Sequence, residues 1–153
     1  MLTPQMQALI ERNTIGLVAT VTPDGRPAVS PKGTSVILDA TTLVFSDIRS
    51  PGTVRNIKNN PAVEINYIDI FSRTACRVAG RADYVPRSET EFAAYLPHFQ
   101  KWPTLVERMR GFVVVTVESA QLLRSPVYDV GATEADLRAY WLKHYGEQGG
   151  RNH

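Results

Sequence analysis

Tight-turn signals recur at short intervals through the first half of this chain, and they restrict the folds open to it. Pro23-Asp24-Gly25 and Asp39-Ala40-Thr41 each combine residues that favour turns. The stretches between them are short and mostly apolar or β-branched. Segments of that length joined that tightly pair with their neighbours as antiparallel strands. Ile15, Leu17, Ala19 and Val21 alternate with smaller or polar residues, which predicts a first hairpin over IGLVATVTPDGRPAVS. A second predicted hairpin pairs Ser35–Asp39 with Thr42–Ser46.

Three more strands are expected. Ala62–Ile68 carries Val63, Ile65 and Tyr67 on one face. Thr74–Tyr84 carries Cys76, Val78, Gly80 and Ala82 on one face and Arg77 and Arg81 on the other. Phe112–Val117 is apolar and β-branched. Helices are predicted between and around them. Thr3 and Pro4 read as N-cap and first residue of a helix with Leu2, Met6, Leu9 and Ile10 along one stripe, ending at Asn13-Thr14. Ser50 and Pro51 start a second helix that Asn60-Pro61 stops. Further helical segments are expected over Ser88–Tyr95, ended by Pro97, and near Thr104–Met109. Thr133 is expected to cap a last helix through about Tyr145, before a fraying Gly149-Gly150 tail. The pattern lacks regular βαβ alternation. It predicts a mainly β fold, a closed or partly closed antiparallel barrel of six or seven strands with peripheral helices.

At 153 residues the chain is expected to form one domain, and its 43% apolar content supplies a sizeable core. A net charge of +2, with bases and acids interleaved, argues against nucleic acid as a partner. No stretch approaches the roughly 20 apolar residues of a membrane span. The start MLTPQMQALIER lacks the features of a signal peptide, so a cytoplasmic location is expected. Cys76 is the only cysteine, and His98, His144 and His153 lack metal-ligand spacing, so no metal site is expected.

Two segments carry chemistry. In RSPGTVRNIKNNP the first N–H groups of the predicted helix lack intrahelical partners and carry partial positive charge, which suits a phosphate. Gly52 admits a ligand close to the backbone, Thr53 adds a hydroxyl, and Arg49 and Arg55 add cations. The same start also reads as an ordinary solvent-facing Ser-Pro cap. In RPAVSPKG, Pro31 and Gly33 weaken a strand interior, while Ser30 and Lys32 share a face. That combination fits either a bulged edge strand with a solvated lysine or a place where a ligand meets the backbone. Cys76 reads as a small core residue, and Tyr140, Trp141 and Tyr145 as packing residues. Glu64 and Asp69 read as solvated strand-edge carboxylates, and no catalytic side-chain constellation is present.

GLVATVTPDGRPAVSPKG, LVFSD, RSPGTVRNIKNNPAVEINY and RVAGRADYV together resemble the pyridoxamine 5′-phosphate oxidase-like, FMN-binding split-barrel family. The resemblance spans about Ile15 to Val85 and reaches weakly to FVVVTVES. It implies a homodimeric split β-barrel, core 15–118 with a C-terminal helical extension over 133–146, and FMN at the subunit interface. Carried over by position, it implies that Ser30, Lys32 and Gly33 line the phosphate and ring side. Ser46 and Asp47 then lie at the end of the next hairpin, Ser50, Thr53 and Asn56 cap the phosphate, and Arg73 lies near the ring. Many members carry a cation at the helix start where this chain has Gly52-Thr53, so either Lys32 or Arg49 replaces it or FMN binds weakly. The oxidase proper ends in a segment that binds the pyridoxal ring. This chain ends in ADLRAYWLKHYG, so oxidation of pyridoxamine phosphate itself is not expected. The implied activity is flavin-dependent oxidoreduction of a small molecule. The alternatives are an FMN carrier or redox sensor, or the same barrel with F420 or haem.

Overall fold

The structure is a computed structural model that describes residues 1–150; His153 lies outside them. Among the described residues there are seven strands: β1 (Gly16–Val21), β2 (Pro27–Lys32), β3 (Ser35–Asp39), β4 (Thr42–Asp47), β5 (Ala62–Asp69), β6 (Thr74–Pro86) and β7 (Gly111–Arg124). They form one antiparallel, unclosed sheet in the order β2-β1-β5-β6-β7-β4-β3, the split barrel that the sequence predicts. Its helices are α1 (Pro4–Arg12), α2 (Pro51–Asn59), α3 (Phe92–Tyr95) and α4 (Glu134–Gly149). No described helix is long and apolar enough to cross a membrane.

Local chemistry explains most boundaries. Gly25 takes φ 82° in the first turn, where the Thr22 N–H donates to the Arg26 carbonyl at 2.8 Å. Asp39 closes the second turn by accepting from the Thr41 N–H at 2.7 Å. Thr3 caps α1 by accepting from the Met6 N–H, and Met6, Leu9 and Ile10 are buried. Two core regions result. The larger joins α1 and Ile57 of α2 to Val18, Leu43, Phe45, Ile65, Tyr67 and Val78 inside the sheet. The second lies on the opposite face, where Val44 and Phe112 pack under Phe92, Phe99 and Met109. Strand β4 is therefore buried on both faces, which is why LVFSD reads as an unbroken run.

Several expectations are corrected. Ile15, read as part of the first strand, lies just before β1 and is 62% exposed; in β1 Gly16, Val18 and Thr20 are buried and Leu17 is 38% exposed. Strand β7 continues seven residues past Val117, because Ser119, Gln121 and Arg124 pair with β6 although they are polar. The helix expected from Ser88 begins only at Phe92, and Pro97 sits inside a 3₁₀ turn, Leu96–Phe99, rather than ending the segment. Pro-compatible first-turn geometry accounts for that placement. A second 3₁₀ turn, Val106–Arg108, stands where a helical turn is expected. Helix α4 runs to Gly149 rather than stopping near Tyr145.

Asp69 is not a solvated carboxylate. It is buried at the end of β5, accepts from the N–H groups of Phe71 and Ser72, and takes a 2.7 Å bond from Arg138 of α4. Desolvation opposes ionisation there, but the donors from Ser72, Arg138 and Phe71 outweigh it and hold the carboxyl below its usual range. Glu64 is exposed and pairs with Arg77 at 3.2 Å. Cys76 is fully buried, and burial pushes its thiol up to about 11.

Candidate functional site

The site forms where the ends of β2 and β4 meet the start of α2. Val54 N–H donates to the Ser50 carbonyl as the first helical bond, and Pro51 has no N–H to offer. The N–H groups of Gly52 and Thr53 precede that bond, at positions that a side-chain cap ordinarily satisfies. Ser50 stands at the cap position, yet its hydroxyl makes no capping bond. It accepts instead from Lys32 Nζ at 2.7 Å. The first turn of α2 contains no acidic residue. The helix start is thus uncapped and electropositive.

Lys32 is 8% exposed. Desolvation lowers its pKa below the usual lysine range, and the nearby Asp47 carboxylate recovers part of the loss. Asp47 is committed on both oxygens. One accepts from the Ser50 N–H at 2.9 Å and the other from the Tyr84 hydroxyl at 2.8 Å. Burial together with the Asp47 carboxylate pushes the Tyr84 hydroxyl up to about 12, so it stays a donor at neutral pH. Tyr84 reaches Asp47 across Gly111, where an added Cβ would meet the Tyr84 ring at 2.5 Å. Beneath this layer Thr34 and Ser46 share a 2.5 Å hydroxyl bond. Asn56 is buried on α2 and donates to Thr20 at 3.0 Å, while its Oδ1 has no partner.

Two cavities open here. One of about 990 Å³ is lined by residues 30–34, Ser46, residues 48–50, Arg87 and the wall 105–110 without Val106. A smaller one, about 340 Å³, lies over the α2 start and is lined by Thr20, Gly52, Thr53, Arg55 and Asn56. Ser30, Lys32, Arg49 and Ser50 line both, so the two are continuous. Gly33 and Gly52 face open space: nothing lies within 4 Å of a Cβ added at either, so no protein contact requires glycine there.

Eight of the expected positions therefore gather around the cavities: Ser30, Lys32, Gly33, Ser46, Arg49, Ser50, Thr53 and Asn56. Asp47 does not line either cavity; it stands behind the wall and orients Ser50 and Tyr84. Arg73 is elsewhere. It occupies the β5–β6 turn at φ 56°, its guanidinium 3.4 Å from the Trp141 ring centroid of α4, with Nε buried and unpartnered. Aromatic residues of α4 pack on this turn: Tyr145 meets Phe71 edge-on at 6.0 Å. Thr34, Tyr84, Arg87, Arg108 and Arg110 belong to the site and were not anticipated. The available signal was RMR in front of the Gly111 strand, two cations flanking a buried methionine.

The family profile of pyridoxamine 5′-phosphate oxidase matches residues 2–124. The chain belongs to that family. Among solved structures it is similar to HupZ of Group A Streptococcus, at 25% identity and TM-score 0.69 over 82% of this chain and 96% of that one. It is similar to an F420 reductase at 29% identity and TM-score 0.61, over 78% of this chain and 98% of that one. An FMN-binding protein of Syntrophomonas wolfei subsp. wolfei shares the fold at 13% identity, TM-score 0.68, over 81% and 87%. No curated protein matches the chain by sequence.

Proposed function

We propose that this member of the pyridoxamine 5′-phosphate oxidase family binds FMN and acts as a flavin-dependent oxidoreductase on a small molecule. The observation that carries the reading is the uncapped start of α2 beside the buried Lys32. A helix of this length ordinarily draws its cap from the serine at this position. Here the serine is engaged by a lysine whose burial disfavours its own charge. A phosphate supplies what both lack, an acceptor for the first N–H groups and a counter-ion for the ammonium. Thr53, Arg49 and the orphaned Oδ1 of Asn56 fit the same ligand, Oδ1 by accepting from a ligand donor. The residues present therefore fit FMN. Ser30, Lys32, Gly33, Arg49, Ser50 and Thr53 would hold it, and Thr34 and Ser46 form the floor. When bound, FMN supplies the redox chemistry, which is why no acid–base constellation is needed. Asp47 and Tyr84 keep Ser50 and the strand end in place.

Titration of the apoprotein with FMN and with riboflavin tests this. Two charge-assisted bonds to the phosphate are worth about 3–6 kcal/mol together. FMN is therefore expected to bind at least about 100-fold more tightly. Equal affinities remove the phosphate argument. The likeness to an F420 reductase makes F420 the second reading. The absorbance spectrum of the purified protein separates it from FMN, which gives two visible bands.

The active unit in this reading is a homodimer with FMN at the interface. The support is the outward face of the β2-β1-β5 edge, where Ile15, Leu17, Val29 and Ile68 are 62%, 38%, 65% and 40% exposed. An apolar patch of this kind marks an interface, and a twofold partner would bury it on both subunits. Val63, Ile65, Tyr67 and most of Phe112–Val117 are buried within one chain and take no part in that patch. Leu17→Glu with Val29→Glu is expected to give a monomer in sedimentation at low micromolar concentration. A wild-type monomer that binds FMN stoichiometrically refutes the interface site.

A further inference from the structure

We infer that Asp47 sets the pH range over which this site takes up a phosphate, acting from behind the wall as the counter-charge of Lys32. This rests on the FMN reading above and concerns how that same site is regulated. The observation that carries it is a buried carboxylate next to an anion site. Asp47 is 5% exposed and lines neither cavity. A negative charge placed there repels a bound phosphate, so its presence needs a reason.

Hydrogen bonding does not supply that reason. Asp47 Oδ1 accepts from the Ser50 N–H at 2.9 Å, and Oδ2 accepts from the Tyr84 hydroxyl at 2.8 Å. An asparagine meets both demands. Its amide oxygen accepts from the Ser50 N–H, and its NH₂ donates to the Tyr84 oxygen, because a hydroxyl accepts as well as donates. What asparagine lacks is the charge, and the group that uses the charge is Lys32. Lys32 Nζ donates to the Ser50 hydroxyl at 2.7 Å while the Ser50 N–H donates to Asp47, so ammonium and carboxylate flank one residue. The other charged groups around Lys32 are mostly of its own sign. Arg49, Arg87, Arg108 and Arg110 line the large cavity with it, and Arg55 lines the smaller one. Glu107 is the acid among these lining residues. Lys32 forms no ion pair among the described residues. Burial disfavours its ammonium, and the Asp47 carboxylate opposes that loss. A neutral Lys32 offers a phosphate no counter-ion, so the carboxylate decides up to what pH the site stays loaded.

The test compares Asp47→Asn, which removes the charge and keeps both hydrogen bonds, with Tyr84→Phe, which removes one hydrogen bond and keeps the charge. Lys32 is titrated in the apoprotein by NMR of ¹³C-labelled lysine, its signal assigned by its absence from Lys32→Met. The exposed Lys58, Lys101 and Lys143 serve as internal references. Asp47→Asn is expected to lower the Lys32 midpoint by about one pH unit, and Tyr84→Phe to leave it within about 0.3 unit. The FMN affinities of wild type and Asp47→Asn are then expected to cross as pH rises. Below both midpoints the variant binds FMN more tightly, because the repulsion is gone. Above both it binds about 10-fold more weakly, one pH unit being a factor of ten. Riboflavin, which lacks the phosphate, is expected to show no crossing. An unmoved Lys32 midpoint in Asp47→Asn overturns the inference. So does an equal displacement in Tyr84→Phe, which assigns the effect to loosened geometry, or a uniform loss of FMN affinity at every pH, which makes Asp47 structural. The NMR titration needs no flavin. A displaced midpoint in a protein that binds no FMN leaves the coupling of Asp47 to Lys32 standing and removes the FMN reading.

Discussion

Gly80→Ala is expected to cost about 3 kcal/mol or more of stability, or to prevent folding. Gly80 lies in β6 where its register against β7 shifts between Ala79 and Gly80. A Cβ there would stand 2.2 Å from the carbonyl oxygen of Thr116 and 3.1 Å from its carbon. Backbone of a paired strand cannot swing aside as a side-chain end can. The two longest strands would have to part next to Val78 and Ala82, which are 0% and 1% exposed. A loss of this size lowers the midpoint of thermal unfolding by about 6–12 °C in a chain of this length. Gly52→Ala is the control. It faces open space in the first turn of α2, and alanine there is expected to stabilise the apoprotein by up to about 1 kcal/mol. Equal stability of Gly80→Ala and wild type refutes the close strand approach.

Lys32→Met is expected to weaken FMN binding by about 10- to 150-fold, the loss of one charge-assisted bond of roughly 1.5–3 kcal/mol. The same change is expected to leave the apoprotein as stable as wild type or more so. It removes a desolvated ammonium and releases the Ser50 hydroxyl to cap α2. Opposite signs for stability and affinity distinguish a ligand-holding lysine from a structural one, whose loss lowers both. The pH dependence follows from the lowered pKa. Between that lowered value and the unfolded value of 10.5, the unfolded chain binds the proton and the folded apoprotein does not, so apoprotein stability rises with pH through this window. FMN requires the protonated form. Its affinity is therefore expected to fall as pH rises through the lowered pKa, with proton uptake on binding. An affinity unchanged up to pH 10.5, or an unchanged dissociation constant for Lys32→Met, returns this lysine to a structural role.

The elements were largely legible because their limits are local. Pro23-Asp24-Gly25 turns wherever it stands, since Gly25 takes the positive φ the turn needs. Thr3-Pro4 starts a helix because the cap and N1 requirements involve only neighbours. Much of the site was legible for the same reason: Ser50-Pro51-Gly52-Thr53 announces a helix start in the residues themselves. The segment around Phe92 was misjudged because its 3₁₀ turns are held by packing of Phe92, Phe99 and Met109 on Phe112, not by helix periodicity.

By itself the sequence determined strands, turns, the first two helices and the anion-seeking character of the α2 start. All of these depend on interactions within a few residues. Only the tertiary structure decided which face of β1 is buried, since that depends on α2 lying over one side, where Asn56 donates to Thr20. It also decided that Asp69 is a buried anchor for α4, that Arg73 stacks on Trp141, and that Lys32 takes the Ser50 hydroxyl away from the cap. Each of those contacts joins residues 18 to 69 positions apart, and alternation along one strand carries no information about what will be folded against it.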